Sequence, residues 1–261
     1  MATASSATPR EALPNHNDLP DTDGLPVENA QESPQNWMLT SALEPLLRQR
    51  HPDSQYFIGH DVGIYYRLTN PPLQGCKSPD WFYVPNVSPL WNGEVRRSYV
   101  LWQEPTVPLI ILEYVSGDGS EERDRTPKKG KFWVYEKEIK ARYYGIYEVD
   151  PGRVELYERI KGKYRPVLAN ERGHFPVPPL DGELGIWQGK YLQYDLPWLR
   201  WWDAQGNLLP NVEERVELEK QRARQERKRA RQERERAKQE KQRAERLAEK
   251  LRELGVDPDT V

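Results

Sequence analysis

The sequence predicts a mixed α/β core, one sheet flanked by helices with an added β element, followed by an extended charged helix. Three observations predict it. Continuous apolar runs of strand length occur at Trp81-Phe82-Tyr83-Val84 and Leu109-Ile110-Ile111-Leu112, the pattern of strands covered on both faces. Segments with helical apolar spacing stand near residues 37–50 and after Thr126-Pro127. From Val212 the composition shifts to Glu, Arg, Lys, Gln and Ala, all good helix formers.

Residues 1–36 hold one basic and six acidic residues among many Pro, Ser and Asn, so a disordered acidic arm is expected there. The first helix is expected over 37–50, with Trp37, Leu39, Leu43, Leu46 and Leu47 as its apolar face and Pro45 as a kink or break. Residues 56–58 and 61–66 read as a hairpin or one bent strand, and 70–78 as a Pro-rich loop. Residues 80–84 and 109–115 read as strands, with a short helix or edge strand at 98–102 between them. After a polar loop at 116–126, Thr126 is an acceptable N-cap and Pro127 suits the first helical position. That start puts Phe132, Tyr135 and Ile139 on one face, Lys131 at its edge and Lys128 in the entry turn. Residues 142–149 form a strand, and 153–160 and 164–168 a hairpin about Lys161-Gly162. Residues 173–207 alternate aromatic residues with Gly and Pro, which predicts further short strands. The core is thus placed at 37–212, a charged helix at 213–254 and a tail at 255–261.

Composition excludes several classes. Cys76 is the single cysteine, so no intrachain disulfide forms, in keeping with a reducing cytoplasm. No run reaches membrane-spanning length and the N-terminus lacks an apolar signal core; a soluble cytoplasmic protein without membrane contact is expected. His16, His51, His60 and His174 lack zinc-ligand spacing, and neither a nucleophilic triad nor a phosphate-binding loop is evident. The net charge of -2 hides an uneven distribution. Residues 213–254 carry sixteen basic and eleven acidic residues, leaving the body slightly acidic, so affinity of the core for DNA is expected to be weak by net charge. Within this segment Arg-Gln-Glu-Arg recurs at 224–227 and 231–234, and large apolar residues are nearly absent before Leu247, Leu251 and Leu254. A strong leucine zipper is not expected; a weak coiled-coil contact, and with it a homodimer, is expected through those leucines.

The chemistry centres on Glu113, which ends an apolar run. An isolated ionised carboxylate there is costly, so it needs a partner or a metal. Asp80 supplies a second carboxylate at the start of a strand, and two such groups at a sheet end suit Mg²⁺, with Mn²⁺ as a substitute. The plain alternatives are turn chemistry for Ser78-Pro79-Asp80, a structural ion pair for Glu113 and solvated surface lysines for Lys128 and Lys131. Cations in the first turn of a helix are disfavoured, which a nearby anion would offset.

Pro79-Asp80, Leu112-Glu113-Tyr114-Val115-Ser116, Lys131-Phe132-Trp133-Val134-Tyr135 and Tyr143-Tyr144-Gly145-Ile146-Tyr147 ahead of Asp150-Pro151 occur in an order that resembles the restriction-endonuclease-like, PD-(D/E)xK superfamily. Within it the chain resembles the cyanobacterial Uma group of endonucleases over residues 37–212, with Asp61-Val62-Gly63-Ile64-Tyr65-Tyr66 as a further strand of that group. The superfamily often places its lysine two residues after the glutamate, where this chain has Val115; in the Uma-like group it lies on the next helix, which fits Lys131, with Lys128 as competitor. The resemblance implies a Mg²⁺-dependent DNA endonuclease in which Asp80, Glu113 and a backbone carbonyl near Tyr114 hold the metal and Lys131 acts at the water and phosphate. Ser116 and Asp61 are candidates for supporting bonds and Glu44 for an additional acidic residue on the first helix. Trp198, Trp201 and Trp202 are candidates for base stacking, against core or hairpin packing. The competing expectation is a nuclease-derived binding or assembly protein, catalytically weak or inactive, that acts through its charged helix.

Overall fold

The computed structural model describes residues 13–15, 18–19, 30–104 and 106–253. The chain divides into two units, Met1–Leu209 and Pro210–Val261. In chain order the first contains α1 (Glu32–Arg50), β1 (Tyr56–Gly59), β2 (Ile64–Tyr65), β3 (Cys76–Lys77), β4 (Trp81–Pro85), β5 (Leu90–Trp91), β6 (Glu94–Val95), β7 (Tyr99–Val100), β8 (Ile110–Tyr114), α2 (Lys131–Val134), β9 (Tyr143–Glu148), β10 (Arg153–Ile160), β11 (Lys163–Pro166), β12 (Phe175–Val177), β13 (Gly182–Tyr191) and β14 (Tyr194–Asp203). The second contains α3 (Val212–Glu253).

The central sheet has the order β1-β4-β8-β9-β10-β11 and is antiparallel except where β8 and β9 run parallel. β4 and β8 are buried almost throughout, as their unbroken apolar runs require. Alternation along each strand sorts the side chains between two cores. One joins Trp81, Tyr83, Ile110, Leu112 and Tyr147 to Leu39, Leu43 and Leu47 of α1 and to Leu199 and Trp201 of β14. The other joins Phe82, Val84, Ile111, Tyr144 and Ile146 to Phe132, Val134, Tyr135 and Ile139 around α2. β12, β13 and β14 form a separate antiparallel sheet, and β3, β2 and β7 a third.

α1 starts five residues earlier than the expected 37–50 and passes through Pro45 without ending. Its buried side is set by Met38, Leu39, Ala42, Leu43 and Leu47, while Trp37 is 51 % exposed and lies outside that face. The early start has a polar anchor. The Gln35 amide donates to the Leu199 carbonyl at 2.7 Å and accepts from the Leu199 amide at 3.1 Å, so one buried side chain does for β14 what a neighbouring strand would.

Other expectations are corrected. Parts of the acidic arm pack: Leu19 is buried with Tyr65 and Val100, and Trp102 and Gln103 side chains donate to the Pro14 carbonyl at 3.1 and 3.3 Å. Residues 32–36 of that arm belong to α1, while 1–12, 16–17 and 20–29, the tail at 255–261 and Leu254 lie outside the described residues. The 56–66 segment is neither hairpin nor bent strand, since β1 and β2 join different sheets. The 173–207 region holds two ten-residue strands rather than only short ones. Trp198 and Trp201 are fully buried, and Trp202 stacks on His174 with ring centroids 4.3 Å apart. Trp198 and Trp201 are therefore packing residues, out of reach of bases.

α3 is a 42-residue helix with no buried residue. Its start is fixed by a reciprocal capping box: the Glu214 amide donates to Asn211 Oδ1 at 2.9 Å, and the Asn211 amide to Glu214 Oε2 at 2.8 Å.

Gly145 of β9 is a tight joint of the central sheet. A Cβ there would lie 2.5 Å from Leu112 Cδ2 and 3.5 Å from Leu156 Cδ1, both in the α1-side core. Gly145→Ala is expected to destabilise the first unit by about 1–3 kcal/mol through overpacking, read as a lower urea midpoint with an unchanged slope. A midpoint equal to wild type would show that Leu112 has room to move.

Candidate active site

β4 and β8 pair with Trp81 opposite Leu112, so continuing the register by one residue sets Asp80 across from Glu113. Residues directly opposite in an antiparallel pair share a face, and this is the face of Phe82, Val84 and Ile111, toward α2. The junction is held by the main chain: the Tyr114 amide donates to Asp80 Oδ2, while the Tyr114 hydroxyl donates to Asn36 Oδ1 of α1 at 2.7 Å.

Glu113 is 1 % exposed, and both its oxygens are engaged. Lys131 Nζ donates to Oε2 at 3.0 Å, and the Tyr135 hydroxyl donates to Oε1. Burial pushes the Glu113 carboxyl above its ordinary range, and Lys131 and Tyr135 pull it back in part. Burial lowers the affinity of Lys131 for its proton, but Glu113, Glu121 and Glu122 outweigh it, so the net shift is upward and the side chain stays an ammonium. Glu121 and Glu122 approach it at 3.5 and 3.4 Å. Glu122 is itself buried, its segment fixed by the Tyr144 hydroxyl, which donates to the Glu122 carbonyl at 2.8 Å.

Asp80 is raised well above its ordinary value by burial, then by the charge of Glu113 and further by Glu32; the Tyr114 amide and Lys131 act in the opposite direction. Glu32, Asp61 and Asp80 bring carboxylate oxygens within 4.8 Å of one another. Asp61 sits in a left-handed conformation at φ 52°, and its amide donates to the Pro79 carbonyl at 3.1 Å, which ties its loop to the entry of β4.

The structure therefore brings together Asp80, Glu113, Lys131 and Tyr114, and adds Asp61. It separates others. Lys128 is exposed and left-handed at φ 67°; α2 begins at Lys131 and not at Thr126-Pro127, because Gly130 is still extended. A side chain at Gly130 would collide with the Asp124 carbonyl, so the loop closes tightly just before the lysine. Glu44 pairs with Arg48 one turn along α1, whereas the acidic residue that α1 brings to Asp80 is Glu32. Sequence reading missed Glu32 by assigning it to the arm; its signal was an acidic residue at a helix start. Tyr135 was placed on the correct helix face without its bond to Glu113. Ser116 lines a separate cavity of about 500 Å³ with Gln31, Asp118, Arg153 and Tyr194, which none of Asp80, Glu113 and Lys131 reaches.

Lys131 and Lys128 differ enough to be separated by stability alone. Lys131→Met leaves Glu113 buried without its cation and is expected to cost about 3–5 kcal/mol, whereas Lys128→Ala stays within about 0.5 kcal/mol of wild type. Chemical denaturation of both variants checks this, and equal losses would remove Lys131 from its special place.

Comparison with known proteins supplies the frame for this geometry. A match to a solved crystal structure, described as a putative nuclease belonging to DUF820 from Anabaena variabilis ATCC 29413, has 13% identity and a TM-score of 0.42, covering 59% of this chain and 76% of that chain. Comparison with curated proteins finds no match. Residues 25–193 match the model of Uma2, described as "Putative restriction endonuclease". That match takes in Glu32, Asp61, Asp80, Glu113 and Lys131 and spans more than half of the sequence; the chain belongs to the Uma2 family.

Proposed function

We propose that the protein is a metal-dependent DNA endonuclease that hydrolyses phosphodiester bonds. The observation that carries this reading is the junction of half-buried Asp80 with buried Glu113, with the Lys131 ammonium on Glu113, in a chain of the Uma2 family. The donor set fits a hard divalent cation. Glu32, Asp61 and Asp80 offer only carboxylate oxygens, the ligands Mg²⁺ and Mn²⁺ take. The Asp80 carboxyl is raised first by burial and then by the charges of Glu113 and Glu32, both of which a bound cation would offset.

Asp80 and Glu113 would hold the ion with the Tyr114 carbonyl, and Glu32 and Asp61 stand beside Asp80 to share that task. When bound, a divalent ion polarises a phosphate oxygen and makes a water more acidic. The residues of the chain do the rest. Lys131 remains protonated beside Glu113 and presents a fixed positive charge for the attacking water and for charge developing on phosphate. Tyr135 and Lys131 fix the two Glu113 oxygens, which keeps the carboxylate oriented before substrate arrives. Burial of Glu113 excludes bulk water and strengthens each of these interactions.

One observation favours a second reading, a nuclease-derived binding or assembly protein that turns over slowly or not at all. Lys131 is surrounded by three carboxylates, Glu113, Glu121 and Glu122, and an ammonium so satisfied is less available to phosphate. Among the described residues no helix is long and apolar enough to cross a membrane, and a single cysteine fits action in the cytoplasm. A weak homodimer through Leu247 and Leu251 accompanies either reading, since Leu247 is 53 % exposed.

The test is nicking of supercoiled DNA by purified protein in Mg²⁺ or Mn²⁺ against chelator. Wild type is expected to cut only with metal, and Asp80→Ala and Glu113→Ala each to lower the rate by about 10²-fold or more. Equal residual cutting by wild type and both variants would assign the activity to a contaminant. No metal-dependent cutting by wild type, with metal still bound, would leave the second reading.

A further inference from the structure

Because Val212–Glu253 is one uninterrupted helix, the Arg-Gln-Glu-Arg recurrence extends into a seven-residue period. Ala223, Ala230, Ala237 and Ala244 share one position of it, Glu219, Glu226, Glu233 and Glu240 a second, and Arg222, Arg229, Arg236 and Arg243 a third. At 3.6 residues per turn this period separates two charged stripes. On one, every glutamate has an arginine three residues later, and from Glu226 onward another four residues earlier, so opposite charges alternate and offset one another.

The other stripe is basic throughout. Lys220, Arg224, Arg227, Arg231, Arg234, Lys238 and Lys241 follow at alternating intervals of four and three residues, which keeps them on one face. All seven are exposed. Glu235 adjoins Arg231 and Lys238, and Lys241 pairs with Glu245 at 4.0 Å. Arg224, Arg227 and Arg234 have no acidic residue three or four positions away. The stripe runs about 32 Å along the axis at about 1.5 Å per residue. Residues 220–241 hold eleven basic and four acidic residues, a local excess that the net charge of the chain conceals.

We propose that this stripe is a binding surface for the phosphate backbone of duplex DNA. Like charges at three- and four-residue spacing oppose helix formation, and a polyanion laid along the stripe removes that opposition. Duplex DNA carries one negative charge per about 1.7 Å of its axis, enough to meet every cation of the stripe, and its major groove, about 12 Å wide, admits a single helix. The remaining faces do not serve the alternatives. Alanine along 223–244 is too small for a zipper seam, and no large apolar residue lies between Leu218 and Leu247 to enter a bilayer. The choice of DNA among polyanions rests on the endonuclease reading; the stripe does not.

Two variants of the full-length chain, equal to each other in net charge, test it. Arg224→Gln, Arg227→Gln, Arg231→Gln and Arg234→Gln together remove four cations from the basic stripe. Arg222→Gln, Arg229→Gln, Arg236→Gln and Arg243→Gln remove four from the mixed stripe. Glutamine is a strong helix former, and circular dichroism verifies that α3 persists. Binding to a labelled duplex is measured in chelator across a salt series. The first variant is expected to bind about tenfold more weakly or worse, with a log–log salt slope shallower by roughly 3; the second stays near wild type. Equal losses would reduce the effect to bulk charge, and no loss would remove DNA from α3. Tighter binding of duplex RNA or phosphatidylserine vesicles by wild type would replace the occupant. Binding in chelator and nicking in Mg²⁺ are read separately, so failure of the endonuclease reading (no metal-dependent nicking) and failure of this surface (no loss of binding in the first variant) give different results.

Discussion

The interaction on which this molecule turns is the burial of a carboxylate in the middle of its sheet. Glu113 lies on a strand otherwise made of Ile110, Ile111, Leu112 and Tyr114, where an unpartnered charge would cost several kcal/mol. The surrounding fold answers that cost. The Lys131 ammonium and the Tyr135 hydroxyl come from the helical turns after the 116–130 loop, so the positions of the loop, of α2 and of the π-turn at Tyr135–Ile139 all serve one side chain. The tight closure at Gly130 and the Tyr144 bond to Glu122 follow from the same need. Compensation remains incomplete, because the Glu113 carboxyl is still raised and Asp80 more so.

Incomplete compensation sets this cluster apart from an ordinary ion pair of the same unit. Arg96, buried, and Glu104, half-buried, form an ion pair in the same unit; among the described residues neither pairs with a further carboxylate, and the Arg96 guanidinium packs over Phe57 and Tyr99 at 5.4 Å. At the entry of β4 the sum goes the other way. Glu32, Asp61 and Asp80 crowd together with Lys131 as the cation that acts on Asp80.

The packing that holds the junction is aromatic. Tyr114, Tyr135, Tyr143, Tyr144 and Tyr147 are each almost fully buried, and several direct their hydroxyls to backbone or carboxylate acceptors, as Tyr144 does to Glu122 and Tyr143 to Glu158. A tyrosine fills a core like phenylalanine while carrying a donor to its edge. This explains how a sheet with so few polar interior atoms presents ordered donors around Glu113.

What the sequence determined by itself was local. Apolar runs located β4 and β8, because a strand buried on both faces must be apolar along its whole length; helix propensity located α3; and the order of Pro79-Asp80, Glu113 and Lys131 carried the family resemblance. Helix-face geometry even placed Tyr135 beside Lys131, though not its bond to Glu113. Tertiary structure decided the rest. No local signal tells that Glu32 at the start of α1 meets Asp61 from a left-handed turn and Asp80 from a strand entry, since those residues are far apart in sequence and meet only when α1 crosses the sheet. Helix start chemistry at Thr126-Pro127 was overridden by loop closure, which holds Gly130 extended and delays α2 to Lys131. Trp198 and Trp201 were open in sequence between stacking and packing, and burial decided for packing, Trp201 within the α1-side core, because aromatic spacing along one strand does not reveal which face another element covers.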